Sequence, residues 1–183
     1  MTPWKQVPNI WKTESAYWTW MKGVFRHGWN HHPVKIEYIK KYRKLIPNPN
    51  KKGKKQEVWG MTCEICKKDF IQSEIQIDHK KGSTRLTEQA HIQGCVEHLL
   101  MVVFDDLRAV CKDCHGVITH MERYNLTRED AILSKEIIRF KKLSVKEQTS
   151  ILTSLCGKDK IDILTNAAKR AEAYKNYLQG NII

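Results

Sequence analysis

The chain has 183 residues and a mass of 21.5 kDa, enough for one ordinary domain or two small ones. Its hydrophobic fraction of 41% excludes a disordered chain, no apolar run is long enough to predict a membrane span, and the first residues lack a secretion signal. The net charge of +12 predicts a polyanionic partner, and we expect a soluble cytoplasmic protein.

The positive charge is concentrated at the N-terminus. Residues 1–55 carry 13 Lys/Arg against 2 Asp/Glu, whereas the remaining residues carry 19 against 18. Five of the six tryptophans lie in the same stretch, and the sixth, Trp59, follows it closely. Lysines interleaved with aromatic rings are typical of surfaces that contact phosphates and stack on bases. The alternative is a solvated basic face on a small helical core that uses tryptophan for bulk.

The first elements are helices. Amphipathic patterns predict one helix over Ser15–Arg26 and another over Pro33–Leu45, separated by a turn at residues 27–33. Residues 47–55 are rich in proline, asparagine and lysine and predict an exposed linker. Residues 1–57 are therefore interpreted as a nucleic-acid-binding arm and linker. Its candidate contact residues are Lys22, Arg26, Lys35, Lys40, Lys41, Arg43, Lys51, Lys52, Lys54 and Lys55.

Two C-x-x-C pairs follow in the middle of the chain, Cys63/Cys66 and Cys111/Cys114. In a reducing compartment, metal ligation is favoured over disulfides, and two such pairs supply the four thiolates of a closed structural zinc site. A redox pair is the alternative, but no thioredoxin-like context surrounds either one. We therefore expect one structural zinc ion per chain.

A further group of possible ligands lies between the cysteine pairs. His91, Cys95 and His98 share one face of a predicted helix at i, i+4 and i+7, a spacing that is compatible with a second metal. A partly buried amphipathic helix explains the same pattern, with Cys95 as a small buried residue.

An acid–histidine pair, Asp78-His79, ends a strand-like alternation over residues 74–79. Downstream, Asp105-Asp106-Leu-Arg108 leads into the second cysteine pair, and His115 follows it directly. Aspartate and histidine can hold a divalent ion, and a neutral histidine can take a proton from water. A turn at the end of a strand and a structural histidine would explain the same residues without catalysis.

Helices are predicted for the rest of the chain. Thr127 or Asn125 is a candidate cap for a helix that runs to about Phe140. Ser144 and Glu147 form a capping box for a helix that ends at Cys156-Gly157, and a last helix is predicted over residues 159–178.

The order C-x-x-C, Asp-His, then Asp-Leu-x-x-Val-C-x-x-C-His resembles the zinc-containing HNH endonucleases, including those of tailed bacteriophages. The matching residues are Cys63, Cys66, Asp78, His79, Leu107, Cys111, Cys114, His115 and Thr119. Residues 15–26, Trp29 and Pro33 extend the likeness. The family's central asparagine is Asp106 here, and its usual lysine after the second histidine is Ile118.

The resemblance implies an α+β fold: a small zinc-stabilised ββα-metal domain at residues 58–122, flanked by the basic helical arm and a helical C-terminal region at 123–183. It implies a DNA endonuclease in which His79 activates water, Asp106 assists, and Asp78 and His115 hold one catalytic ion. That ion would be Mg²⁺ or Mn²⁺, with Ni²⁺ also suitable. Arg108 is a candidate phosphate contact.

Double-stranded DNA is the expected partner, with a homodimer or phage packaging proteins as further partners and the host bacterial cytoplasm as the location of a phage-encoded chain. Two alternatives stay open. One is a catalytically degenerate zinc-dependent DNA-binding or packaging accessory module, which the Asp106 substitution favours. The other is a nuclease that acts on RNA, because a basic arm does not distinguish the two sugars.

Overall fold

The computed structural model describes residues 2–49, 56–82, 85–157 and 166–180, and the chain divides into two compact units, residues 1–115 and 116–183. Within the described residues, the first unit contains helices α1 (Pro3–Gln6), α2 (Glu14–Asn30), α3 (Pro33–Tyr42) and α4 (His91–Leu100). Its strands are β1 (Lys44–Pro47), β2 (Glu57–Thr62), β3 (Asp69–Ile71), β4 (Ile75–His79) and β5 (Leu107–Cys111). The fold is thus mixed α+β, as predicted.

Two small antiparallel sheets form the β part of the first unit. One has the order β1-β2-β3, and the other is the pair β4-β5. In the second sheet Asp78 faces Arg108 and His79 faces Leu107. A hydrogen bond of 2.8 Å from the Lys80 N–H to the Asp106 carbonyl continues this ladder past His79. The pairing therefore fixes the acid–histidine pair at the end of a hydrogen-bonded hairpin.

Helices α2 and α3 supply much of the core of the first unit. Trp29 and Tyr38 pack in one cluster with Met61, Ile77 and Leu107, so both helices lie against the β-sheets. Trp18 packs in a second cluster with Leu86 and Cys95 of α4. The exposed fractions of Trp18 and Trp29 are only 5% and 9%. These two rings stabilise the fold by apolar burial.

The division into units differs from the three predicted domains. The predicted arm, residues 1–57, shares one unit with residues 58–115, because its Trp18 and Trp29 are part of the core of that unit. The boundary near residue 122 differs as well: helix α5 (Lys112–Tyr124) begins in the first unit and continues into the second.

Two predicted element ends are wrong. Helix α2 continues through His27 to Asn30, so the predicted turn is shortened to His31 and His32. Helix α3 begins at Pro33 as predicted but ends at Tyr42, because residues 44–47 pair with β2 as a strand. A helix continued to Leu45 would forfeit these ladder hydrogen bonds.

The second unit is helical within its described residues. Helices α6 (Arg128–Lys141), α7 (Val145–Cys156) and α8 (Ala167–Leu178) follow α5, and Phe140, Leu152 and Ala173 form their common core. The caps are those predicted from the sequence: the Thr127 hydroxyl accepts from the Asp130 N–H, and Ser144 and Glu147 form a capping box. The first part of the predicted last helix, residues 158–165, lies outside the described residues. No helix in the described ranges combines the length and apolar character that a membrane span requires.

Gly60 and Gly23 provide a matched test of the packing. A Cβ on Gly60 would lie 2.5 Å from the Phe70 carbonyl oxygen, whereas a Cβ on Gly23 would have no neighbour within 4 Å. We expect Gly60→Ala to lower the free energy of unfolding by about 1–3 kcal/mol through overpacking. Gly23→Ala, inside α2, should raise it by about 0.5–1 kcal/mol. Denaturant unfolding measures both values, and equal effects of the two variants would contradict the described packing of β2.

Candidate metal centre and histidine site

The first cysteine pair occupies a tight turn between β2 and β3. The Cys63 N–H donates to the Lys68 carbonyl and the Lys67 N–H to the Cys63 carbonyl, both at 2.9 Å. Lys67 has a φ of 60°, in the left-handed region that few non-glycine residues adopt. This turn places the Cys63 and Cys66 side chains on the same side of the loop.

The second cysteine pair joins strand to helix. Cys111 is the last residue of β5, and Cys114 lies in the first turn of α5. The Cys111 N–H donates to the Cys63 sulfur at 3.3 Å, and the Cys114 N–H to the Cys111 sulfur at 3.5 Å. The four sulfur atoms lie within 4.8 Å of one another. The prediction that these cysteines come together in a cluster able to hold a metal ion is confirmed.

The chemistry of the cluster fits a thiophilic divalent cation such as zinc. Burial opposes ionisation of Cys63, but the N–H groups of Cys66 and Cys111 outweigh it and lower its pKa to about 7. Burial and the neighbouring Cys111 and Cys63 sulfurs raise the pKa of Cys114 instead. Four thiolates this close repel one another unless a cation lies between them, and zinc takes four thiolates tetrahedrally.

His91, Cys95 and His98 do not form a second cluster. In the described part of the chain, the four-cysteine cluster is the only group of three or more ligands close enough to hold a metal. His91 Nε2 lies 2.9 Å from a Glu88 carboxylate oxygen, while Cys95 is 4% exposed in the apolar core. The amphipathic-helix interpretation of these residues therefore describes α4 better.

Asp78 and His115 meet beside the cysteine cluster. The distance from Asp78 Oδ1 to His115 Nε2 is 3.6 Å. The other carboxylate oxygen, Oδ2, accepts hydrogen bonds from Arg108 Nε at 3.0 Å and Nη2 at 2.8 Å. Burial opposes ionisation of Asp78, but His115 and Arg108 together lower its pKa. The structure thus brings one carboxylate and one imidazole together, with an arginine as the carboxylate's second partner.

His79 lies in an aromatic environment. Its ring centroid is 4.3 Å from the Trp29 ring and 4.7 Å from the His98 ring. The residue is 9% exposed, and its Nε2 is buried without a hydrogen-bond partner among the described residues. Burial, followed by the nearby His98, lowers the pKa of His79, while Asp78, the Leu99 backbone and Asp106 oppose this shift. The lowered pKa favours the neutral imidazole.

A cavity of about 370 Å³, the His79 cavity, opens beside this ring. It is lined by His79, His98, Asp106, Lys81 and Glu97. Asp106 itself accepts a hydrogen bond from the Val103 N–H through Oδ2 at 2.9 Å, within the 3₁₀ turn Phe104–Asp106 that precedes β5. The aspartate therefore holds the backbone that leads into the second cysteine pair, while it also borders the histidine.

The candidate DNA contacts have different surroundings. Lys40 forms an ion pair with Glu37 at 2.6 Å. Three others lie over aromatic rings: Lys35 over Trp29, Lys41 over Tyr42 and Phe104, and Arg43 over Trp59. Lys22 and Arg26 lie together on α2, where they line a shared pocket. Lys51, Lys52, Lys54 and Lys55 lie outside the described residues.

No motif in the sequence connects Trp29 or His98 with His79. Trp29 comes from α2 and His98 from α4, so both reach the ring through the tertiary fold rather than through a local motif. The only sequence signal was indirect: both residues lie in amphipathic helices that need a buried partner. Comparisons of this chain with protein-family models, with curated proteins and with solved structures found no match.

The cysteine cluster predicts one bound zinc ion that contributes to folding. We expect Cys66→Ser to abolish stoichiometric zinc binding and to destabilise the first unit, because a structural site supplies folding free energy. Cys95→Ala is the control, since it removes a buried thiol that is not in the cluster. Elemental analysis and thermal unfolding measure both effects. Zinc retained at one ion per chain in Cys66→Ser would contradict the assignment.

Proposed function

We propose that the chain is a metal-dependent DNA endonuclease of the HNH type, which hydrolyses phosphodiester bonds. One observation carries the proposal: Asp78 and His115 meet beside the cysteine cluster, and His79 follows Asp78 at the end of the same hairpin strand with its Nε2 buried and without a partner among the described residues. Hydrolysis of a phosphodiester needs an activated water, neutralisation of charge at phosphorus and support for the leaving oxygen. The three side chains are suited to these tasks.

Asp78 Oδ1 and His115 Nε2 are the atoms that would hold a catalytic divalent ion. A mixed oxygen and nitrogen donor set suits Mn²⁺ or Ni²⁺, and Mg²⁺ also accepts few protein ligands because it keeps several waters. When bound, the ion would neutralise the scissile phosphate and stabilise the leaving oxygen. The cysteine cluster supports this pair, because Cys111 and Cys114 lie in the strand end and helix turn that precede His115.

His79 is proposed as the general base. Its Nε2 lacks a hydrogen-bond partner in the described part of the chain. A buried nitrogen without a partner lowers the stability of the fold, and a catalytic role is one explanation for keeping such a group. The lowered pKa keeps this nitrogen able to accept a proton at neutral pH. Trp29 and His98 hold the ring on its flanks, so that we assign them positioning roles.

Double-stranded DNA is the proposed substrate, and the basic first third of the chain would supply phosphate contacts. One such site per chain cuts one strand at a time, so a double-strand break would need a homodimer or two successive nicks. A phage-encoded enzyme of this kind would act in the cytoplasm of the host bacterium, where packaging proteins are further candidate partners.

Two observations favour a second candidate, a zinc-dependent DNA-binding or packaging accessory module without catalysis. Arg108 occupies one oxygen of Asp78 with two hydrogen bonds, which places a positive charge where a metal would bind. Asp106, at the family's asparagine position, is engaged with the Val103 backbone. Both arrangements suit a site whose role is structural.

Cleavage of supercoiled plasmid DNA distinguishes the two candidates. We expect nicking by the zinc-loaded chain with Mg²⁺, Mn²⁺ or Ni²⁺, its loss in EDTA, and at least a hundredfold lower rate for His79→Ala, because general-base catalysis typically contributes about 10²–10⁴-fold. Matched RNA and DNA duplexes test the choice of sugar. Binding without cleavage by the wild-type chain would support the accessory module.

Controls separate loss of chemistry from loss of fold. His31→Ala removes an exposed histidine whose Nδ1 lies 2.9 Å from the His27 carbonyl oxygen at the end of the same helix, so this variant should cleave like the wild type. His79→Asn accompanies the alanine variant because it fills more of the space beside Trp29. A lower cleavage rate of either His79 variant is assigned to lost chemistry only if its zinc content and melting temperature match those of the wild type.

Arg108 provides a separate prediction about the catalytic ion. Its guanidinium neutralises Asp78, so Arg108→Met should tighten Mn²⁺ binding to the DNA-free protein by roughly tenfold, given that a charge-assisted hydrogen bond is worth about 1.5–3 kcal/mol. Titration calorimetry measures the affinity, and Lys68→Met, an exposed lysine of the first cysteine turn, is the control. Unchanged or weaker binding in Arg108→Met would refute competition between arginine and metal.

A further inference from the structure

A second cavity, the basic pocket, adjoins the His79 cavity. It has a volume of about 270 Å³ and is lined by three cations, Lys22, Arg26 and Arg85, together with the apolar side chains of Phe25, Leu86 and Leu99. His98 lines both cavities, so its ring is their common wall. The pocket is built from α2, α4 and the chain just before α4.

The three cations have no carboxylate partner among the described residues. In the described ranges, carboxylates form ion pairs with Lys40, Lys44 and Arg108, but none pairs with Lys22, Arg26 or Arg85. Lys22 and Arg26 are four residues apart on one helix face, a spacing at which like charges repel. Arg85 adds a third positive charge to the same small volume, so the arrangement is unfavourable until an anion enters.

The apolar surroundings strengthen the attraction for such an anion. Leu86 is 2% exposed and Cys95 4% exposed, so the floor of the pocket belongs to the core of the first unit. Charges over an apolar floor are screened less than charges in open water, which increases their field in the pocket. Arginine and lysine together suit a phosphate, whose oxygens accept several N–H bonds at once.

We propose that the basic pocket is a backbone-phosphate subsite, which holds a phosphate of the nucleic-acid strand that runs from the His79 cavity past His98. The inference rests on the proposed function and deepens it: it assigns Arg85 as a new contact and ranks Lys22 and Arg26 above the paired Lys40. It also gives a role to α4, which lies between the two cysteine pairs in the sequence, because this helix forms one wall of the subsite.

The test measures DNA binding by fluorescence anisotropy at several salt concentrations, with the zinc-loaded full chain and no added divalent ion. Each phosphate contact that is lost should reduce the magnitude of the slope of log affinity against log salt by about 0.9. The triple variant Lys22→Gln/Arg26→Gln/Arg85→Gln should therefore reduce it by roughly two to three. Lys12→Gln removes one charge from the same basic segment outside the pocket and should leave the slope unchanged.

A conservative variant guards against a merely structural effect. The double variant Lys22→Arg/Arg26→Lys keeps both charges and should retain the wild-type slope. If the triple variant lost affinity through a packing defect instead, this charge-conserving variant would lose affinity as well. Melting temperature and zinc content are measured for every variant. A wild-type slope in the folded triple variant overturns the subsite, as does an equal loss per removed charge in Lys12→Gln.

Plasmid cleavage, run in parallel, separates this inference from the proposed function. Cleavage by the wild type together with unaltered binding in the triple variant overturns the subsite and leaves the nuclease intact. Salt-dependent binding through the pocket without wild-type cleavage supports the subsite and overturns the nuclease. Absence of any DNA binding by the wild type overturns both.

Discussion

The close approach of four cysteine sulfurs is the constraint on which the proposed site depends. The sulfurs come from a turn after β2 and from the junction of β5 with α5, and the hydrogen bond from the Cys111 N–H to the Cys63 sulfur ties the two segments together. A metal ion that removes the repulsion among these thiolates would fix the hairpin against the start of α5. Asp78 sits on that hairpin and His115 one residue beyond Cys114. Small movements at the cluster would therefore change the distance between the two candidate ligands.

Local chemistry made several elements predictable from the sequence. The C-x-x-C pairs identify the metal cluster because four thiols at this spacing have few other uses in a reducing compartment. The caps at Thr127 and Ser144 identify helix starts because their hydroxyls accept backbone N–H groups that would otherwise be unsatisfied. Helix ends were less predictable. The end of α3 is set by pairing of β1 with β2, a contact with residues at least ten positions away that no local pattern records.

The tryptophans have roles that the sequence pattern does not separate. Interleaved with lysine, they indicated a nucleic-acid surface, yet Trp18 and Trp29 are core residues and Trp29 contacts the His79 ring. Sequence alone does not distinguish these roles, because a large ring suits both an apolar core and a base stack. The surroundings of His79 were missed for the same reason: α2 and α4 are separated by some sixty residues along the chain, and only the fold brings them to one ring.

This arrangement changes how the basic segment should be tested. Removal of residues 1–55 would delete Trp18, Trp29 and Tyr38 from the core, so a loss of DNA binding in such a truncation would report unfolding as readily as lost contacts. Total charge is equally uninformative, since Lys40 and Lys44 already have carboxylate partners. The informative quantity is charge that the protein leaves uncompensated beside the proposed site. Judged by the part of the chain that the structure describes, Lys22, Arg26 and Arg85 meet that criterion, so point substitutions in the folded chain provide the sharper test.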